Sequence, residues 1–276
     1  MYLQYWGLSQ FPFRNLNDPS WFCETPVHQE CLARLLYLVE QQHQVGFLSG
    51  GAGTGKSLLL EVLADQVARS GRPLVAIDLF GLHEHELLWQ LAAAFGLAPS
   101  DSDTPWQLQR RAHDWLDGSR LASIHTVLLF DRADSTGTGC HRVLQRLLQQ
   151  DVHATGAATF VFATSDSPAS SVPRALLELA ELRVDLTPLD WRETGLYVTE
   201  RLARAGASRS IFGPSALDRV YEQTAGNPRR INRLCDLALL AGMADGLTAI
   251  DPQTVDSAAQ ELQLSPQSDR PVLSPV

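Results

Sequence analysis

The sequence predicts an α/β fold, a parallel sheet wrapped by helices and followed by a smaller helical unit. Three observations carry that prediction. Residues 50–57 read Gly-Gly-Ala-Gly-Thr-Gly-Lys-Ser, a glycine turn set between an apolar run and a stretch of helical period. Five short apolar runs, spread over residues 45–186, are spaced by helical stretches. One of those runs ends in a carboxylate, Asp131, about 75 residues beyond the turn.

Taken in order, Val45-Gly46-Phe47-Leu48 suits a buried strand, and Ser57 to Ala68 sets Leu58, Val62, Leu63 and Val67 near a helical period. Strand, glycine turn and helix N-terminus together make an anion cradle, because backbone N–H groups and the helix dipole both point at phosphate. The candidate phosphate-binding set is Gly50, Gly51, Ala52, Gly53, Thr54, Gly55, Lys56, Ser57 and Leu58. Lys56 would reach the β- and γ-phosphates of ATP, and Ser57 would offer its hydroxyl to Mg²⁺. The plainer reading, a glycine turn that only joins strand to helix, leaves the lysine and serine spacing unexplained.

A second strand covers Pro73 to Phe80, and two helical stretches follow, around Glu84 to Phe95 and Pro105 to Leu116. Ile124 to Phe130 is the pattern of a buried parallel strand, delivering Asp131 at the C-terminal sheet edge where such sheets place ligands. Apolar runs ending in aspartate are common; behind a phosphate loop, this one predicts a second Mg²⁺ contact. His141 to Gln150 is helical, Ala158 to Ala163 is a strand closing with Thr164 and Ser165, and Leu182 to Leu186 makes the fifth. Beyond Asp190 the pattern is helical. Leu196, Val198 and Leu202 share one helix, and Pro214-Ser215 opens another. Asn227-Pro228 is a cap followed by proline, with Ile231, Leu234, Cys235, Ala238 and Leu239 on one face, and Asp251-Pro252 starts a last helix. The expected division is 1–189, 190–264 and a disordered tail at 265–276.

Composition narrows the class. The 276 residues are 45% hydrophobic and 19% charged, with a formal charge of −9, which excludes wholesale disorder. No run of eighteen apolar residues exists, and Met1 to Phe13 lacks the basic region and apolar stretch of a secretory signal, so a cytoplasmic protein without an integral membrane segment is expected. The four cysteines show no C-x-x-C spacing, and His83 and His85 have no cysteine near them, which predicts reduced thiols and no zinc site. Of 22 basic residues only Lys56 is a lysine, and it sits in the one motif that needs a flexible point charge.

These residues resemble the AAA+ ATPases of the general secretion pathway protein A (ExeA) type. The likeness starts with Met1-Tyr2-Leu3, Trp6-Gly7-Leu8, Pro12-Phe13 and Asp18-Pro19, an opening segment spanning 1–44. It runs through His28 and Leu32-Ala33-Arg34-Leu35 into the phosphate loop. It resumes at Leu186-Thr187-Pro188-Leu189 and at 226–236, Gly-Asn-Pro-Arg-Arg-Ile-Asn-Arg-Leu-Cys-Asp. In all it covers about residues 1–262. The resemblance implies a P-loop NTPase core of three layers, α/β/α, with sheet order 5-1-4-3-2 and a small C-terminal helical lid. It also implies that Arg229 senses the γ-phosphate from the lid, although Arg229, Arg230 and Arg233 also read as a solvated arginine face.

Departures bear on catalysis. Relatives carry a glutamate directly after the strand-end aspartate, where it polarises the attacking water; here the sequence reads Asp131-Arg132-Ala133-Asp134. An arginine stays protonated and accepts nothing. Asp134 is the nearest substitute base, or simply a loop carboxylate. The polar residue that ends the fourth strand maps to Thr164 or Ser165. Leu179 stands where relatives often place an arginine that acts across subunits, leaving Arg174 and Arg183 as alternatives. Three readings follow. The first is a slow ATPase assembling into homo-oligomers and serving an unidentified protein partner in secretion or pilus machinery. The second is a nucleotide-sensing switch that recruits a protein partner with little turnover. The third is a regulator of DNA transposition, against which the lid counts eight arginines to ten acids.

Overall fold

The computed structural model describes residues 2–14, 17–151, 158–166 and 172–264; the tail expected to be disordered lies outside them. In chain order the elements are α1 (Tyr2–Trp6), α2 (Pro26–Glu40), β1 (Val45–Gly50), α3 (Lys56–Arg69), β2 (Leu74–Asp78), α4 (Glu84–Ala94) and α5 (Pro105–Leu121). Then come β3 (Thr126–Asp131), α6 (Thr138–Asp151), β4 (Ala158–Ser165), α7 (Arg174–Leu177) and β5 (Leu182–Leu186). The chain continues with α8 (Trp191–Arg204), α9 (Pro214–Thr224), α10 (Pro228–Ala244) and α11 (Pro252–Glu261).

The five strands form one sheet of order β2-β3-β4-β1-β5, the predicted order read from the other edge, with every paired neighbour parallel. Period-2 alternation splits the strands between two cores. On β3, Leu128 and Phe130 face the side covered by α4, α5 and α6, while Val127 and Leu129 face α2 and α3. On β4, Phe160 and Phe162 join the first core and Val161 and Ala163 the second. Phe47, Phe130 and Phe162 stack across the three central strands with centroid spacings of 5.2 Å. Burying each such side chain is worth about 1.5–3 kcal/mol, so the sheet is braced from both faces.

Parallel register brings the strand ends level in two pairs. Gly50 on β1 pairs with Ser165 on β4, and Asp78 on β2 pairs with Asp131 on β3. The polar residues that end these strands therefore share one sheet edge.

Helices α8 to α11 build a separate core around Val198, Leu202, Val220, Ile231, Leu234 and Leu239. Side-chain caps start three of them: Asp190 accepts from Glu193 N, Asn227 from Arg230 N and Asp251 from Thr254 N. The opening segment joins this core. Tyr2, Trp6, Leu8, Phe13 and Cys23 are buried in it, Tyr2 Oη donates to Asp236 Oδ1 and Trp6 Nε1 donates to Leu239 O at 2.9 Å. The buried Arg201 on α8 fixes the rest of that segment. Its Nε, Nη1 and Nη2 donate to the carbonyl oxygens of Pro12, Trp21 and Arg14, and its guanidinium lies over the Trp21 ring. Three carbonyl dipoles stabilise this cation, which ties the opening segment to α8.

Candidate nucleotide site

The loop between β1 and α3 lies at that sheet edge. It borders a cleft of about 370 Å³ that is also lined by Asp131, Arg132 and Asp134 after β3, Ser165 of β4, and Pro228, Arg229 and Asn232 of α10. A cleft of this size suits a small ligand. Both α3 and α10 present their N-termini to it, so two helix dipoles direct positive ends at whatever it holds.

Within the loop, Ala52, Gly53, Gly55, Lys56, Ser57 and Leu58 line the cleft, and Gly50, Gly51 and Thr54 do not. Thr54 is buried and its hydroxyl closes the loop by donating to Gly51 O at 2.9 Å. Lys56 Nζ crosses the loop to donate to Gly50 O at 2.6 Å and Gly51 O at 2.9 Å. Burial pushes the Lys56 pKa down, opposed by the carboxylates of Asp131, Asp134 and Asp166, while Arg229 adds to the depression.

Ser57 Oγ donates to Asp131 Oδ2 at 2.5 Å, and the other carboxylate oxygen accepts Arg132 N at 2.8 Å. A hydroxyl and a carboxylate side by side are hard oxygen donors of the kind Mg²⁺ takes. Among the described residues no group of three His, Cys, Asp or Glu clusters as a metal cage. A cation placed here would be held by one or two protein oxygens together with substrate phosphates and water.

Arg132 occupies the left-handed region, with φ 53° and ψ 42°. Its side chain is gripped by Asp78, Nε donating to Oδ1 at 2.7 Å and Nη2 to Oδ2, and it lies 4.4 Å from the centroid of the exposed Phe80 ring. Asp134 sits in a short 3-10 turn (Ala133–Ser135), where its Oδ1 accepts Ser165 N at 3.1 Å. This brings Asp134 and Ser165 together at the cleft, while Thr164 is buried and outside its lining. Arg174 pairs with Glu178, Arg183 donates to Leu177 O, and Leu179 packs on the sheet core; none of the three lines the cleft.

Arg229 reaches the loop through its backbone as well as its side chain. Its N–H donates to Gly53 O at 3.2 Å, and Asn227 Nδ2 donates to Ala52 O at 2.8 Å. A Cβ on Gly53 would lie 2.7 Å from Asn227 Oδ1 and 2.8 Å from Arg229 Cβ, at a left-handed φ of +88°. Gly53→Ala is therefore expected to destabilise the nucleotide-free protein by at least about 1–2 kcal/mol, the left-handed penalty alone. A lowered denaturation midpoint checks this, and an unchanged one contradicts the left-handed backbone at Gly53.

Sequence reasoning missed several residues that the structure brings to this region. Arg14, Asn17, Tyr197 and Arg201 also line the cleft, and Asp166 stands beside the loop. His28 contacts the loop from behind, with Nε2 at 3.3 Å from Thr54 O. Thr25-Pro26 ahead of Cys31, Leu32, Leu35 and Leu38 was a legible start for α2, which would have set His28 in its first turn. Nothing local marks Arg201.

The AAA domain family matches residues 39–180. The chain is 30% identical over 267 residues to "General secretion pathway protein A" of Aeromonas hydrophila, an alignment covering 95% of this chain and 48% of that protein. The chain thus spans about half the length of the curated relative it matches. Among solved structures it is similar to the Aeropyrum pernix ORC2 protein in its ADPNP–ADP complexes (TM-score 0.69, 16% identity, 92% of this chain and 72% of that one). It is also similar to Drosophila ORC bound to DNA (0.70, 18%, 96% and 67%) and to the Thermotoga maritima RuvB branch migration motor (0.59, 14%, 92% and 74%). At these identities the likeness concerns the fold.

Proposed function

The chain belongs to the AAA domain family, and from that premise we propose that it is an ATPase that binds ATP with Mg²⁺ and hydrolyses it slowly. The observation that carries this is the sheet-edge constellation: Lys56 in its loop, Ser57 joined to Asp131, and Arg229 of α10 docked on Gly53. In this reading the loop N–H groups and Lys56 bind the β- and γ-phosphates, and Arg229 senses the terminal phosphate from the lid. Ser57 and Asp131 would hold Mg²⁺, which when bound supplies positive charge to the phosphate oxygens. Asp134, fixed by Ser165 N, is the carboxylate that orients and deprotonates water. Residues 190–264 act as the lid, and the opening segment, strapped to α8 through Arg201, moves with it.

A second reading, a switch that holds ATP and recruits a protein partner with little turnover, is favoured by one observation: the position after Asp131 is a cation locked onto Asp78. Both readings place the protein in the cytoplasm as a homo-oligomer attending secretion or pilus machinery, and the likeness to general secretion pathway protein A supports the link to secretion. The DNA-regulator reading gains from neighbours such as the DNA-bound ORC but loses to a net charge of −9. Affinity for ATP and for ADP by calorimetry, set beside phosphate release with Mg²⁺ present, tests the proposal. Saturable binding of both with measurable release is expected. Binding without release would select the switch, and no binding would end both readings.

A further inference from the structure

We infer that His28 is a positioning residue for nucleotide binding: its imidazole holds the peptide between Thr54 and Gly55 so that the Gly55 N–H faces the phosphate cradle. The inference rests on the nucleotide-binding reading above and assigns a role to a residue outside the loop.

His28 is only 5% exposed and lies in the first turn of α2, edge-on to Phe22 at a centroid distance of 5.7 Å. Its Nε2 is 3.3 Å from Thr54 O and its Nδ1 is 2.7 Å from Thr25 Oγ1. A carbonyl oxygen only accepts, so Nε2 carries the proton, and the bare Nδ1 then accepts from the Thr25 hydroxyl. Burial holds the His28 pKa down, against smaller upward pulls from the Thr54 carbonyl and Glu193, which favours this neutral form.

A trans peptide points its C=O and its N–H in opposite directions. Fixing Thr54 O behind the loop therefore turns the Gly55 N–H away from His28, to the side on which Gly55, Lys56 and Ser57 line the cleft. Gly55 is a residue that needs such a restraint. It sits at φ +106°, immediately before α3, with no side chain of its own to oppose rotation. The ring also fills the space behind it, since a Cβ on Gly55 would lie 3.1 Å from His28 Nε2.

The support behind His28 is unusual in a way that fits this role. Thr25 is the N-cap of α2, yet its hydroxyl serves the imidazole and makes no cap bond. Glu193 of α8 caps in its place, accepting Val27 N at 3.0 Å. The helix start is thus completed from the lid side while its own cap residue orients the ring.

The test is ADP binding with Mg²⁺, by calorimetry on the full chain, for the wild type, His28→Phe, His28→Gln, Thr25→Val and Thr25→Ser. Glutamine carries an amide N–H at about the reach of Nε2, whereas phenylalanine keeps the ring volume without a donor. Expected are a loss of about tenfold or more in affinity for His28→Phe, equivalent to about 1.4 kcal/mol, and recovery to near wild type for His28→Gln. Equal binding by wild type and His28→Phe would overturn the inference alone, and so would equal losses in the two variants, which would mark packing rather than the donor. Should His28→Phe fail to melt cooperatively, the Thr25 pair decides. Weaker binding for valine with wild-type binding for serine supports the role, and wild-type binding for both removes it. A wild type that binds no ADP would remove the nucleotide reading itself.

Discussion

Lys56→Ala is expected to lose ATP affinity by about 10²–10⁴-fold and to show no phosphate release above background. The ammonium is the chain's sole lysine and already spans the loop mouth, bonded to Gly50 O and Gly51 O. Charge-assisted hydrogen bonds are worth about 1.5–3 kcal/mol each, and losing two from a phosphate chain gives that factor. Folding should hardly suffer. Burial works against the charged amine, as its lowered pKa records, so its removal also removes a desolvation cost. The discriminating readout is therefore ligand-induced stabilisation. At 100 times the dissociation constant a nucleotide adds about 2.7 kcal/mol to the wild type, and the variant at the same concentration should gain almost none. Wild-type stabilisation of Lys56→Ala by ATP would place the phosphates elsewhere and contradict the proposed site.

The effects that can be read from sequence at this site are local ones. The phosphate loop is contiguous and its strand and helix have periods of two and 3.6, and right-handed crossovers fix the side each connecting helix takes, whereas the strand order is what the family resemblance implies. Asp131 could be found because a strand must deliver its last residue to the sheet edge. The caps at Asp190, Asn227 and Asp251 are legible for the same reason, since a cap bonds within three residues. What escaped is long-range. Trp6 in a five-residue helix donates to Leu239 O, 233 positions away, and no local rule brings the two together. Arg201 reads as one more charged residue of an amphipathic helix, yet it is buried with three carbonyl oxygens supplied by residues 12–21. The Arg132 grip is of the same kind. It depends on the register that sets Asp78 beside Asp131, a property of strand pairing rather than of either strand.

That register also decides how the missing glutamate should be restored. Arg132→Glu alone would set a new carboxylate against Asp78, where the arginine now makes a bidentate pair, and like charges would push the new group off its position. The informative variant is Arg132→Glu combined with Asp78→Asn, in which the amide donates to the carboxylate. The exposed ion pair it replaces is worth at most about 1 kcal/mol, so the fold should persist. A positioned general base contributes about 10²–10⁴-fold, and phosphate release in the double variant is expected to rise by about 10²-fold over wild type. Asp134→Asn on the wild-type background is expected to act in the other direction. It should reduce release by about 10²-fold with a smaller change in ATP affinity, because Asp134 Oδ1 accepts Ser165 N and its carboxylate acts on Lys56 of the loop through its charge. A double variant no faster than wild type would mean that water activation is not what limits this site. An Asp134→Asn variant with undiminished release would remove Asp134 as the base. If both rates move as expected, the arginine after Asp131 sets the tempo of the enzyme, and the slow turnover follows from one cation held where relatives carry an acceptor.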